Sequence, residues 1–257
     1  MNTLSFSKTK KVYFASDQHF GAPSSVSSRI REQKFLGWLN YVEKDAGAIF
    51  LLGDLFDFWF EYKHVVPKGF VRILGKLGTM TDNGILIYFF VGNHDLWMED
   101  YFIKELGIPV FHKPQEFDIN GKSFLIGHGD GLGPGDYGYK LMKKIFTNPI
   151  LKFLFKLVHP DIGVKLGKYL SINNKLISGD EDVKYDGPKK EVIFQYILKK
   201  EEKKSRNFYV FGHRHLPLDI PLKKSRYINL GDWFNHYSYA ELCIDIMLLK
   251  TWKPKND

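Results

Sequence analysis

The 257-residue chain contains a single cysteine and no long hydrophobic run. One thiol, Cys243, excludes an internal disulfide and suits a reducing compartment. Set in the strand-like stretch Ala240–Ile246, it reads as a buried structural thiol. No apolar stretch approaches the ~20 residues of a membrane-spanning helix, because Lys152 and Lys156 interrupt the most apolar segment. The first residues lack the apolar core of a secretory leader, and Lys8, Lys10 and Lys11 lead straight into a strand. Internal repeats and low-complexity tracts are missing as well. These absences predict a cytoplasmic globular protein.

Apolar residues form 44% of the chain, ample for a packed core, and aromatics a high 16%. The net charge of +8 is unevenly placed. From Asp136 to Lys175 eight lysines face only Asp136 and Asp161, before the acidic run Asp180-Glu181-Asp182. A basic, apolar stretch of this kind serves nucleic acid, anionic lipid or simple solubility, and composition does not choose among them.

Lys11–Ser16 reads as a buried strand. Phe35, Leu36, Leu39, Val42 and Ala46 recur at helical spacing and predict a helix over Ser27–Asp45. Strands follow at Ala48–Leu52 and Ile85–Val91, with helices at Val66–Thr81 and Met98–Leu106. Asn120-Gly121 marks a hairpin between Gln115–Ile119 and Lys122–Ile126. Asp136–Ser178 reads as a lysine-rich helical insertion broken at Pro149 and Pro160. A helix over Pro188–Lys204, with Pro near its first turn, precedes a strand at Phe208–Phe211. Pro217–Leu222, Arg226–Leu230 and Tyr239–Trp252 then read as successive antiparallel strands. The order predicts an α/β core carrying more than one sheet.

Five polar clusters close the apolar runs: Asp17-Gln18-His19, Gly53-Asp54-Leu55-Phe56-Asp57, Gly92-Asn93-His94-Asp95, Gly127-His128-Gly129-Asp130 and Gly212-His213-Arg214-His215. Each falls just past a predicted strand, where open α/β sheets build their sites. Asp17 and His19 stand two apart, as do His213 and His215. On extended chain each pair shares one face, with Cα atoms roughly 6–7 Å apart. That suits two ions about 3.5–4 Å apart, with Asp54 able to bridge them and Asn93 adding a neutral oxygen. Mixed carboxylate, amide and imidazole ligation favours Mn, Fe or Zn over Mg or Ca. The glycines would let backbone approach the ions or a phosphate closely. Alone, each cluster has a plain structural explanation, such as Asn93-His94-Asp95 capping a helix. All five in one order point to a two-metal centre, the usual equipment for hydrolysing phosphate esters or anhydrides.

The series D-x-H, G-D-x-x-D, G-N-H-D, G-H and G-H-x-H resembles that of the calcineurin-like metallophosphoesterase superfamily, with every motif position filled. The resemblance implies a four-layer α/β sandwich, two β-sheets flanked by helices. It implies one metal held by Asp17, His19, Asp54 and His215, and another held by Asp54, Asn93, His128 and His213. A hydroxide bridging them would be the nucleophile, because two metals lower the pKa of bound water. His94 would contact the phosphate or protonate the leaving oxygen. Asp95 either orients His94 or caps a helix. Asp57 and Asp130 would support ligand histidines from behind.

Leu52–Trp59, His128-Gly129-Asp130 and Asp136-Tyr137-Gly138-Tyr139, followed by the basic insertion, are similar to the UDP-2,3-diacylglucosamine diphosphatase family of lipid A biosynthesis. That likeness implies a single domain over 1–257 with a lid at about 136–178 covering acyl chains. It places Asn93, His94, Asp136 and Tyr139 beside the substrate, an acylated UDP-sugar cleaved to UMP and 2,3-diacylglucosamine 1-phosphate. Mn²⁺ is the expected metal, with Fe or Zn as alternatives. The insertion's lysines and apolar side chains would meet the cytosolic face of the inner membrane, and no nucleic-acid partner is expected. One departure stands out: the best-known branch of that family has Arg where this chain has His94. A phosphoesterase for a soluble substrate and a non-catalytic scaffold remain open alternatives. His64, His112, His159 and His236 lie outside the motifs, and of these His236 borders the last strand end.

Overall fold

Alternate residues of the central strands are apolar on both sides, and the chain buries the two sides in different cores. A computed structural model describes residues 2–24, 26–178, 185, 187 and 190–253, with side chains left aside over 172–178. One sheet runs in the order β1 (Asn2–Leu4), β6 (Gln115–Ile119), β7 (Lys122–Ile126), β8 (Phe208–Phe211), β10 (Arg226–Leu230), β9 (Pro217–Pro221). The other runs β12 (Ile246–Thr251), β11 (Ser238–Cys243), β2 (Lys11–Ala15), β3 (Ala46–Leu52), β4 (Leu86–Phe90), β5 (Val110–Phe111). The helices are α1 (Ser28–Val42), α2 (Val71–Asp82), α3 (Tyr101–Leu106), α4 (Tyr137–Phe146), α5 (Pro149–Lys156), α6 (Pro160–Ser178) and α7 (Val192–Lys203).

In β2, Val12 and Phe14 enter the core between the sheets, while Tyr13 and Ala15 join the core under α1, α2 and α3. In β8, Phe208 and Val210 face the inter-sheet core, while Tyr209 and Phe211 pack with Ile193 and Ile197 of α7. The period-2 alternation of a strand therefore yields four layers, helix–sheet–sheet–helix. Aromatic rings fill both cores; between the sheets Phe50 stacks on Phe14 at 5.0 Å and meets Phe117 edge-on at 5.0 Å. Strands β2, β3 and β4 are mutually parallel, as are β7, β8 and β10.

Several expectations need correction. The final strands are antiparallel in two pairs, β9 with β10 and β11 with β12, but not in one run, because β10 also lies parallel to β8 and β11 crosses to the other sheet beside β2. Helix α2 starts at Val71 rather than Val66, since Gly69 and Phe70 both hold positive φ. Helix α3 starts at Tyr101 because the Glu61 carboxylate accepts from the backbone of Asp100 and Tyr101 and sets its first turn. Cys243 is half-buried at the end of β11, not a core thiol. The expected helix from Pro188 begins, where described, at Val192; Pro188 and the acidic run 180–182 lie outside the described residues. Pro149 and Pro160 do break the insertion, each opening a new helix where its missing N–H costs nothing.

Candidate active site

Each of the five clusters follows the carboxyl end of a parallel strand: β2, β3 and β4 from one sheet, β7 and β8 from the other. Backbone bonds stitch these loops together. Asp17 N donates to Gly53 O at 3.1 Å, His19 N to Asp54 O at 2.8 Å, and Gly212 N to His128 O at 2.8 Å. The chain is not extended here, as the two-residue spacing suggested. Asp17, His19, Asp54, His213 and His215 all have positive φ, between 45° and 71°. The left-handed turn at each residue aims its side chain inward.

The side chains converge as two sets sharing one carboxylate. Asp17, His19, Asp54 and His215 each offer a ligand atom, all within 4.8 Å of one another. His19 Nε2 lies 3.1 Å from His215 Nε2, and His215 Nε2 lies 3.2 Å from Asp17 Oδ1. Asp54 Oδ2 is 3.4 Å from His19 Nε2 and also 3.4 Å from His128 Nε2. Asn93 Oδ1 is 3.1 Å from His128 Nε2, and the His213 ring stands 5.2 Å from that of His128. The carboxylate of Asp54 thus faces both sets.

The donors fit a divalent cation. Asp17 Oδ1 is fully buried with His215 Nε2 3.2 Å away, so an oxygen and an imidazole nitrogen stand together where a cation would take both. His128 Nδ1 lies 2.6 Å from the Leu52 carbonyl, which only accepts, so Nδ1 carries a proton and Nε2, 3.4 Å from Asp54 Oδ2, is the nitrogen that would meet a cation in place of a second proton. Burial disfavours charge on Asp54, yet His128, His94 and His19 hold its carboxyl well below the usual range. Burial likewise disfavours charge on His128, yet Asp54 and Asp17 push it up to about 10. The set calls for positive charge at its centre. Burial and the neighbouring His128 lower His213, which favours its neutral ring.

Two of the glycines leave room for side chains of the cluster. A Cβ on Gly92 would overlap the Asp54 carboxylate, and one on Gly212 would lie 2.6 Å from Asp17 Oδ2.

Around the ligands, Asp57 Oδ1 lies 3.5 Å from His19 Nδ1 and 3.6 Å from His94 Nδ1. Asp95 does not orient His94. Its buried carboxylate accepts from Gly92 N at 2.6 Å and Leu55 N at 3.0 Å, tying two ligand loops together. Burial and the Asp54 charge push Asp95 up to about 8. Asp130 accepts from Tyr139 Oη at 2.5 Å and from Lys143, so it links α4 to the His128 loop. Asp136 is exposed and occupies the N-cap position of α4 with positive φ and no side-chain capping bond, outside the cluster. His236 pairs with Asp232 at 3.3 Å, one side chain back from the centre. Two neighbours had no sequence reading. Phe234 sets its ring 5.2 Å from that of His19, and Ser171 of α6 reaches His94 and Asp57.

A two-sheet α/β sandwich with this oxygen and imidazole cluster at its strand ends defines a metal-dependent phosphoesterase. No family model matches the chain. It is 35% identical over 243 residues to a UDP-2,3-diacylglucosamine hydrolase of Porphyromonas gingivalis, covering 90% of this chain and 93% of that protein. It is 28% identical over 221 residues to the enzyme of that name from Vibrio parahaemolyticus, covering 82% and 87%. The chain belongs to the UDP-2,3-diacylglucosamine hydrolase family. A solved archaeal phosphodiesterase superposes with a TM-score of 0.49 at 11% identity, covering 94% of this chain and 99% of that one.

Proposed function

We propose that this chain hydrolyses the pyrophosphate bond of UDP-2,3-diacylglucosamine to UMP and 2,3-diacylglucosamine 1-phosphate. The observation that carries the reading is the equal 3.4 Å approach of Asp54 Oδ2 to His19 and to His128, the geometry of a carboxylate between two ions. Asp17, His19, Asp54 and His215 would hold one divalent ion, and Asp54, Asn93, His128 and His213 the other, with Mn²⁺ as the working metal. Such ions, when bound, activate water and neutralise phosphate oxygens. His94, one residue beyond Asn93, holds a phosphate oxygen or passes a proton from Nε2 to the leaving oxygen. In this reading Asp136 and Tyr139, at the start of α4, would contact the headgroup.

The single domain carries α4–α6 as a lid over about 136–178. A cavity of about 370 Å³ lies between α6 and the 57–70 segment, bordered by Phe20, Phe58, Val66, Phe70 and Val164, with Lys68, Lys165 and Lys168 also along it. Apolar walls beside Asp57 suit acyl chains next to a phosphate centre. On the outside of α5, Ile150, Phe153 and Leu157 are each more than 60% exposed among lysines, a face that suits an anionic membrane surface. No described helix is long and apolar enough to cross a membrane. Peripheral attachment at the cytoplasmic face of the inner membrane follows from this reading.

The test is turnover of UDP-2,3-diacylglucosamine with Mn²⁺, against a soluble aryl phosphodiester. The lipid should be cleaved far faster, and chelation should stop both reactions. His94→Ala should lower kcat by ~10²–10⁴-fold while leaving bound metal unchanged. Equal or faster cleavage of the soluble diester would overturn the lipid substrate.

A further inference from the structure

We infer that Glu99 is an ionic latch on α5, released when an anionic membrane surface competes for its two lysines. The inference rests on the membrane contact proposed for the insertion and adds how that contact reaches the cavity. A surface helix ordinarily turns its charged side to water and its apolar side inward. Helix α5 does the reverse. Ile150, Phe153, Leu154 and Leu157, along the helix and its C-cap, recur at helical spacing and are between 52% and 69% exposed. Lys152 and Lys156, one turn apart, point the other way and close on one carboxylate. Lys152 Nζ lies 2.5 Å from Glu99 Oε1, and Lys156 Nζ lies 2.8 Å from Glu99 Oε2. Burial disfavours charge on Glu99, yet the two lysines hold its carboxyl below the usual range, so it stays ionised at neutral pH. By gripping α5 on its charged side, Glu99 keeps the apolar side facing out.

The latch sits beside the seat of the insertion, Trp97. The Trp97 ring stacks on Phe155 of α5 at 6.0 Å and meets Phe146 of α4 at 5.4 Å. Its Nε1 donates to Phe146 O at 2.8 Å. Its other ring neighbours are Phe60 at 5.6 Å and Phe58 at 5.7 Å, and Phe58 is a wall of the cavity of about 370 Å³. Lifting α5 therefore frees one side of Trp97 and loosens that wall. Partly exposed ion pairs contribute little each and are screened by salt, so the hold is reversible. From Asp136 to Lys175 eight lysines oppose two aspartates, which draws the insertion to a negative leaflet. With Ile150, Phe153 and Leu157 in the headgroup layer, lipid phosphates lie level with the flank of α5 and replace Glu99 at Lys152 and Lys156. The cavity then opens where an acylated substrate resides and stays closed elsewhere.

Glu99→Gln tests this in the full chain, with the double variant Lys152→Gln/Lys156→Gln as a second route to the same release. Hydrogen exchange of the 97–102 backbone is read without substrate, in phosphatidylcholine vesicles with and without phosphatidylglycerol. In the parent, phosphatidylglycerol should speed this exchange by ~10-fold, and phosphatidylcholine alone should leave it unchanged. Both variants should exchange at the faster rate with no lipid present. Turnover of UDP-2,3-diacylglucosamine with Mn²⁺ is then measured in neutral detergent micelles, where Glu99→Gln should exceed the parent by ~3–10-fold. Exchange as slow in both variants as in the parent would overturn the inference. Faster exchange with slower turnover would overturn it equally, because Glu99 would then be a brace for the working enzyme. The exchange is read without turnover. Loosening by phosphatidylglycerol in a parent that leaves the acylated UDP-sugar uncut, with Glu99→Gln already loose, would therefore support the latch and fault only the substrate reading.

Discussion

Five of the seven residues read as metal ligands adopt a backbone conformation that costs a non-glycine residue about 1 kcal/mol or more. Asp and His tolerate it better than branched residues, which suits them to a site built from tight turns. The identity of these residues was legible in the motifs, but their conformation was not. Spacing of two suggested an extended chain. The turns are imposed instead by bonds from distant segments, such as Trp233 N to Asp17 O at 3.1 Å and His213 N to Asp17 Oδ2 at 2.9 Å. Gly92 shows how little room this leaves. Its own φ is unstrained, yet a Cβ there would occupy the space of the Asp54 carboxylate. Gly92→Ala should weaken Mn²⁺ binding by ~10–100-fold, the range seen when a ligand's orientation is disturbed. Titration calorimetry reads this directly, with circular dichroism confirming the fold. Unaltered affinity would mean that Asp54 has freedom the packing denies it.

The elements that the sequence concealed are those whose existence depends on a partner. Strands β1 and β5 have three and two residues, too few to show a period, and form only as edges to β6 and β4. The face of α6 bearing Gly163, Gly167 and Ser171 carries no apolar stripe, so hydrophobic periodicity passes over it. The insertion's apolar excess was legible, and the structure divides it in two. Phe146 and Phe155 pack on Trp97, while Phe153 and Leu157 stay 61% and 69% exposed. Only the second group is available to a lipid surface. Replacing both Phe153 and Leu157 by Ser should lower partitioning onto anionic vesicles by ~10-fold or more, since each buried side chain of this size contributes about 1.5–3 kcal/mol. Co-sedimentation measures it, and cleavage of a soluble diester serves as the control. Unchanged partitioning would remove α5 from the membrane contact.

At the scale of the whole molecule, the four layers follow from strands that are apolar on both faces, and that much is written in Lys11–Ala15, Ala46–Leu52 and Phe208–Phe211. Which strands become neighbours is decided by contacts far apart in sequence, so the parallel pairing of β8 with β10 was not legible. One such contact also predicts how the fold responds to acid. Glu116 of β6 pairs with Lys204 at 2.6 Å and with the buried Arg206, both on the segment joining α7 to β8. Hydrogen bonds from Lys204 and Arg206 hold the Glu116 carboxyl down to about 2, against an ordinary value of 4.5. A carboxyl lowered by folding stabilises the native state above its unfolded value, and that contribution fades as pH falls from 4.5 toward 2. A third of the Glu116 side chain is exposed, which limits the contribution to about 1 kcal/mol. Glu116→Gln should therefore be less stable than the parent by about that amount between pH 5 and 8 in urea unfolding. The gap should narrow steadily below pH 4.5, because the parent loses there what the variant never had. A gap that persisted undiminished at pH 3 would mean that shape, not charge, holds β6 to the α7–β8 connection.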